Sequence, residues 1–146
     1  MKKILLPTDG SAHSLKAAEY ARELMERFPE SFLTIIHVTD LPRDFLAHGY
    51  MPEAVIDPQI VQALADERDE RIMDATFAKF EGLEERVNMI TRTGIPVEII
   101  CHYAETQGCD LIVVGSRGLS EIKGLFLGSV SDRISHLAVC PVLIVK

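Results

Sequence analysis

Gly115, Gly118, Gly128 and Ser129 frame the stretch GSRGLSEIKGLFLGSV near the C-terminus. The apolar run DLIVVG stops at Gly115, and a helical apolar pattern begins after Ser129. Glycine lacks a Cβ, so a ribose or phosphate could approach the backbone at Gly115. At Gly118 the chain could take positive φ and fold back. Gly128 and Ser129 would open a helix whose first turn offers unpaired N–H groups and a positive dipole end, a cradle for an anion. Ser129 would add a hydroxyl donor. The plainer alternative makes Gly115 and Gly118 turn residues and Ser129 an N-cap.

Asp9 is the second residue of interest. It stands where the apolar run KILLP meets a helical pattern. It could hold Mg²⁺ against phosphates, or cap the helix together with Ser11. Two other nucleotide signatures are missing from the sequence: GxxxxGK(S/T), and a GxGxxG after the first apolar run. A P-loop and a dinucleotide site are therefore not expected. His13, His37, His48, His102 and His136 are scattered, with no nucleophile or carboxylate at a telling spacing. His37, inside FLTIIHV, reads as a satisfied core histidine, and His13 as a surface one. Phosphoryl transfer needs a positioned water and stabilisation of the transferred group. Donors are present, but no base can be named, so no catalytic residue is assigned.

The elements that must position these residues alternate along the chain. KILLP reads as a buried strand, residues 11–28 as a helix with Ala17, Ala18, Ala21, Leu24, Met25 and Phe28 on one face. FLTIIHV is a continuous β-branched strand. Residues 59–80 return to helical spacing through Ile60, Val61, Leu64 and Ala65, then Ile72, Met73, Thr76, Phe77 and Phe80, and the charge run DERDER between them reads as a solvated face. A weaker strand follows around Val87 to Thr91. Gly94 and Pro96 then open a helix striped by Val97, Ile100, Cys101 and Ala104. DLIVVG is a fourth strand, Val130, Ile134 and Leu137 stripe a last helix, and PVLIVK is a fifth strand. Such alternation predicts one open, parallel, doubly wound α/β sheet spanning residues 1–146 as a single domain. Ligands bind such sheets beyond the carboxyl ends of the strands. The segments expected there are 7–10, 38–40, 93–94 and 115 onward. The segment from Asp40 to Asp57, long and punctuated by proline, is expected to be a lid.

Composition narrows the function further. The net charge of −7 argues against a general nucleic-acid binder. No apolar run approaches bilayer length, and the apolar piece after Met1 is too short for an export signal, so a cytoplasmic protein is expected. Cys101, Cys109 and Cys140 show no metal-like spacing, and Cys109 and Cys140, which adjoin the fourth and fifth strands, are expected to be packing residues.

With these residues in place, the chain resembles a universal stress protein of the ATP-binding type. The family motif G-x2-G-x9-G-S/T matches Gly115, Gly118, Gly128 and Ser129, and ILLPTDGS and CPVLIVK also resemble family sequence. The resemblance covers the whole chain. It implies a five-stranded parallel sheet of order 3-2-1-4-5 that binds ATP across its carboxyl edge; from the place of Asp9, a divalent cation such as Mg²⁺ is expected with the phosphates. By position, Pro7, Thr8 and Asp9 would line the site, with Asp9 the candidate metal ligand. The backbone of Val38 would meet adenine. Val114, Gly115 and Gly118 would flank ribose and phosphates, and Gly128, Ser129 and Val130 would hold the triphosphate. Arg117 and Lys123 read as solvated surface. The resemblance also points to a homodimer joined through the C-terminal strand, an apolar edge that would otherwise be bare. Three functions fit these residues: a non-enzymatic ATP-binding regulator of assembly or of a protein partner, a slow ATPase or phosphotransferase using the same pocket, and a dimeric stress protein independent of nucleotide.

Overall fold

The computed structural model describes residues 1–39, 57–119 and 127–146. Nearly all of the expected Asp40–Asp57 lid, and Lys123, lie outside the described residues. Five strands and four α-helices are described: β1 (Lys3–Pro7), α1 (Ala12–Arg27), β2 (Phe32–Thr39), α2 (Pro58–Phe77), β3 (Val87–Thr93), α3 (Pro96–Gln107), β4 (Leu111–Gly115), α4 (Ser129–Leu137) and β5 (Val142–Val145). The strands form one parallel sheet of order β3-β2-β1-β4-β5. The order reverses beside β1, which pairs with both β2 and β4.

Strand alternation divides the core into two layers. Ile4, Leu6, Leu33 and Ile35 face Ala17, Ala18, Ala21 and Met25 of α1, together with Met73 of α2. Leu5, Ile36, Ile112 and Val114 face Val97, Ile100 and Ala104 of α3 and Ile134 of α4. Four residues leave the stripes predicted for them: Phe28 is 44% exposed, Ile60 59%, Leu64 51% and Leu137 56%. Phe28 and Leu137 stand at or beyond the last turn of their helices, and Ile60 and Leu64 lie in the first two turns of α2. The three cysteines are free and half-buried against the second layer. Burial raises each thiol above its ordinary value, which suits packing rather than reactivity.

Local signals explain the element ends. Ser11 caps α1, its Oγ accepting the Ser14 N–H at 3.2 Å. Asp57 caps α2 in the same way through Gln59 N–H, with Pro58 at the first helical position. Gly108 ends α3 at φ 61°, a left-handed cap that favours glycine.

β5 is one edge of the sheet. Ile112 N–H donates to Pro141 O and Ser116 N–H to Val145 O. Residues 141, 143 and 145 therefore turn their backbone groups toward β4, and Val142 and Ile144 turn theirs outward.

Candidate functional site

A cavity of about 300 Å³ opens at the carboxyl edge of the sheet, beside the point where strand order reverses. All ten residues singled out from the sequence line it. Pro7, Thr8 and Asp9 come from the end of β1, and Val38 from the end of β2. Val114, Gly115 and Gly118 come from β4 and the loop after it, and Gly128, Ser129 and Val130 from the start of α4.

The cavity has two kinds of wall. Ile36, Val38, Ile72, Pro96, Ile100 and Val114 make an apolar side. The first turn of α4 also lines it; its N-cap is Gly128, and among the described residues no side chain caps its N–H groups. Ser129 is therefore the first helical residue and not the cap, which leaves the turn's donors to other acceptors. Arg68 and Arg117 also line the cavity, so Arg117 is not simply solvated surface. They add positive charge to a chain whose net charge is −7.

Val38 carries a donor and an acceptor at the end of β2. Ile36 O accepts Thr8 N–H at 3.0 Å, while Thr39 O accepts Gly94 N–H on the β3 side. By alternation, the Val38 N–H and C=O turn toward the β1 side, beyond the last residue of that strand.

The glycines work differently from the sequence expectation. A Cβ at Gly115 would stand 2.6 Å from the His13 carbonyl carbon and 2.8 Å from Ser14 N. Gly115 thus admits the backbone of α1 on the side a Cβ would occupy, while the residue also lines the cavity. Gly118 does not take positive φ; a Cβ there would stand 2.6 Å from Asp9 Oδ2. Gly128 fits tightly on the loop itself, its N–H donating to Ser116 O at 2.7 Å. Ser131 Oγ lies 3.0 Å from that same carbonyl. The motif glycines pack the loop after β4 against α1, Asp9 and α4, and so shape the cavity from behind.

Asp9 uses both oxygens. Oδ1 accepts Ser11 N–H at 3.0 Å and Oδ2 accepts Leu119 N–H at 3.0 Å. It braces two loops at the cavity mouth, while Ser11 performs the helix capping. Among the described residues no cluster of three His, Cys, Asp or Glu side chains could hold a metal ion.

The sequence reading missed a buried pair at the cavity, whose member His37 is one of the lining residues. Asp69, the fourth residue of DERDER, is 7% exposed, and its Oδ1 lies 2.9 Å from His37 Nε2. Its Oδ2 accepts the Thr39 hydroxyl. His37 is a satisfied core histidine, as expected, with Nδ1 2.8 Å from Thr8 O. The available signal was His37 itself, since a polar ring inside an apolar strand requires a polar partner.

A parallel sheet with a cavity at its topological switch, walled by apolar side chains and a helix N-terminus, defines a doubly wound α/β ligand-binding fold. The model of the universal stress protein family matches residues 1–146, and the chain belongs to that family. Universal stress protein YxiE of Bacillus subtilis is 35% identical over 150 residues, covering 99% of this chain and 98% of YxiE. The structure of universal stress protein UspA from Lactobacillus plantarum has a TM-score of 0.80 at 23% identity, over 99% of this chain and 97% of that one. Two more solved structures share the fold and hold nucleotides. A universal stress protein in complex with cAMP has a TM-score of 0.67 at 22% identity, over 99% of this chain and 97% of that one. An Arabidopsis thaliana family member with AMP bound has a TM-score of 0.66 at 18% identity, over 100% of this chain and 92% of that one. Among the described residues no helix is long and apolar enough to cross a membrane.

Proposed function

We propose that this chain is an ATP-binding regulatory protein of the cytoplasm, whose bound nucleotide modulates its own assembly or a protein partner rather than being turned over. The observation that carries this reading is the pairing of an apolar wall with the uncapped first turn of α4 in one cavity. An adenine ring suits the first, and the Val38 backbone offers it a donor and an acceptor. Phosphates suit the second, where N–H groups and the helix dipole favour negative charge. AMP and cAMP in two proteins of the same fold support an adenine nucleotide here.

Mg²⁺ would ride chiefly on phosphate oxygens, neutralising charge that Asp9 would otherwise repel. For hydrolysis no base is assigned among the described cavity residues. Asp9 accepts two backbone N–H groups, and His37 is engaged at both nitrogens. Assembly would be a homodimer in which two β5 edges pair about a two-fold axis, satisfying the outward N–H and C=O groups of Val142 and Ile144.

The direct experiment is to purify the protein from cells, denature it and identify released nucleotide by mass spectrometry. Stoichiometric ATP supports the reading. No released nucleotide, together with no calorimetric binding of ATP in the presence of Mg²⁺, would sink it.

A further inference from the structure

Thr8 is held at every polar atom. Its N–H donates to Ile36 O at 3.0 Å, its Oγ1 lies 2.9 Å from Thr76 Oγ1 of α2, and its carbonyl meets His37 Nδ1 at 2.8 Å. A carbonyl oxygen only accepts, so Nδ1 carries the hydrogen. The other ring nitrogen is fixed by Asp69, which Thr39 fixes in turn. Arg68 approaches the same carboxylate at 3.5 Å. All four of Thr8, His37, Thr39 and Asp69 are buried, where an unmet polar group is costly and a complete network is rigid.

This network sets the direction of one peptide. Because Thr8 N–H bonds β2, its carbonyl also faces β2, where the imidazole takes it. The peptide is trans and planar, so the Asp9 N–H points the opposite way. That is the β4 side, where Gly118 and the first turn of α4 line the cavity. Asp9 N–H has no acceptor among the described residues.

We propose that His37 and Asp69 are a positioning pair for the cavity: the imidazole holds the Thr8–Asp9 peptide so that the Asp9 N–H is presented to the bound ligand, and Asp69 holds the imidazole. The identity of that ligand as an adenine nucleotide rests on the reading above. The pair also places α2, which carries Asp69 and Thr76, in direct control of the cavity's β1 wall. A buried core pair with no tie to the ligand would affect folding alone.

The test exploits the geometry of two amides. Asn places its nitrogen where His has Nδ1, and Gln places it where His has Nε2. The measurements are calorimetric ATP titration, thermal unfolding, and the ¹⁵N–¹H signal of Asp9 during titration with pyrophosphate. His37→Gln should weaken ATP binding about tenfold, the scale of one strong hydrogen bond, and leave the Asp9 signal unresponsive. His37→Asn should rescue most of both, without melting higher than His37→Gln. A His37→Gln protein that binds like wild type, or affinities that merely track melting temperature, would overturn the proposal.

Should wild type bind no ATP, the nucleotide reading fails and the Asp9 signal decides this one. A pyrophosphate response present in wild type and lost in His37→Gln upholds the positioning pair; equal behaviour overturns it. If His37→Gln does not fold, Asp69→Asn and Asp69→Leu take its place. Asn can donate to Nε2 and accept from Thr39, so it should retain the Asp9 response that Leu abolishes. Identical responses from the two would again overturn the proposal.

Discussion

Asp9 and Gly118 compete for the same space: the carboxylate that takes Leu119 N–H at 3.0 Å lies 2.6 Å from where a Cβ on Gly118 would stand. The loop after β4 can therefore carry no side chain at this point unless Asp9 retreats. Gly118→Ala is expected to release Leu119, weaken ATP binding, and cost about 1–2 kcal/mol of stability. In a double-mutant cycle with Asp9→Ala, much of that cost should vanish, because the clash is then gone. Strict additivity in urea denaturation would contradict the relationship.

Gly115→Ala should be harsher. Its Cβ would meet the backbone of α1 at His13 and Ser14, and backbone cannot rotate away. The expected loss is about 3 kcal/mol, read as a lower urea midpoint. A change under 1 kcal/mol would mean that α1 is free to shift.

Gly128→Val places a branched side chain from a Cβ site 3.2 Å from Arg117 Cα. It should leave the sheet folded and abolish calorimetric binding of ATP. The same variant is the control for turnover. Wild-type phosphate release at about 1 s⁻¹ or faster, absent in Gly128→Val, would replace the non-enzymatic reading with an enzymatic one.

Acid should act partly through Asp110. The N–H groups of Lys2 and then Lys3, at 2.6 and 2.9 Å, hold its carboxyl below the ordinary carboxylate value. A folded-state value below the unfolded one gives stability that is present above the unfolded value and lost as pH falls through the folded one. Stability should thus decline below about pH 4, where free carboxylates begin to titrate. Asp110→Asn should flatten that acid limb of the urea midpoint against pH; parallel limbs would exclude this residue as a contributor.

Assembly makes a directional prediction. Ile144 turns its N–H outward and Leu143 turns its N–H toward β4. Ile144→Pro should dissociate a β5-paired dimer in sedimentation while preserving the fold. Leu143→Pro should instead damage the β4–β5 ladder and lower the melting temperature. A monomeric wild type, or a dimer untouched by Ile144→Pro, would place any interface elsewhere.

The sheet was legible because KILLP, FLTIIHV, DLIVVG and PVLIVK are short apolar runs separated by helical spacing. The site was legible because chain ends at the carboxyl edge of a parallel sheet converge, whatever their distance in sequence. Two things were hidden. Asp69 looks like its neighbours in DERDER, since burial comes from His37, 32 residues away, and no local pattern records it. The glycine motif shows where side chains are forbidden but not what forbids them. At Gly115 the answer is α1, and at Gly118 it is Asp9.

The strand order has a consequence for the order of events during synthesis. Every neighbouring pair is parallel, so each pairing waits for a whole crossover, and β1 must wait until β4 has been made to acquire its second neighbour. A ribosome releases β1, β2 and β3 first, and these can already form a three-stranded half carrying Thr8, Asp9 and Val38. Gly115, Gly118 and the first turn of α4 emerge later, ahead of β5. The three-stranded half is complete only once Thr93 has emerged, and the cavity takes shape only when the last third of the 146 residues has docked on it.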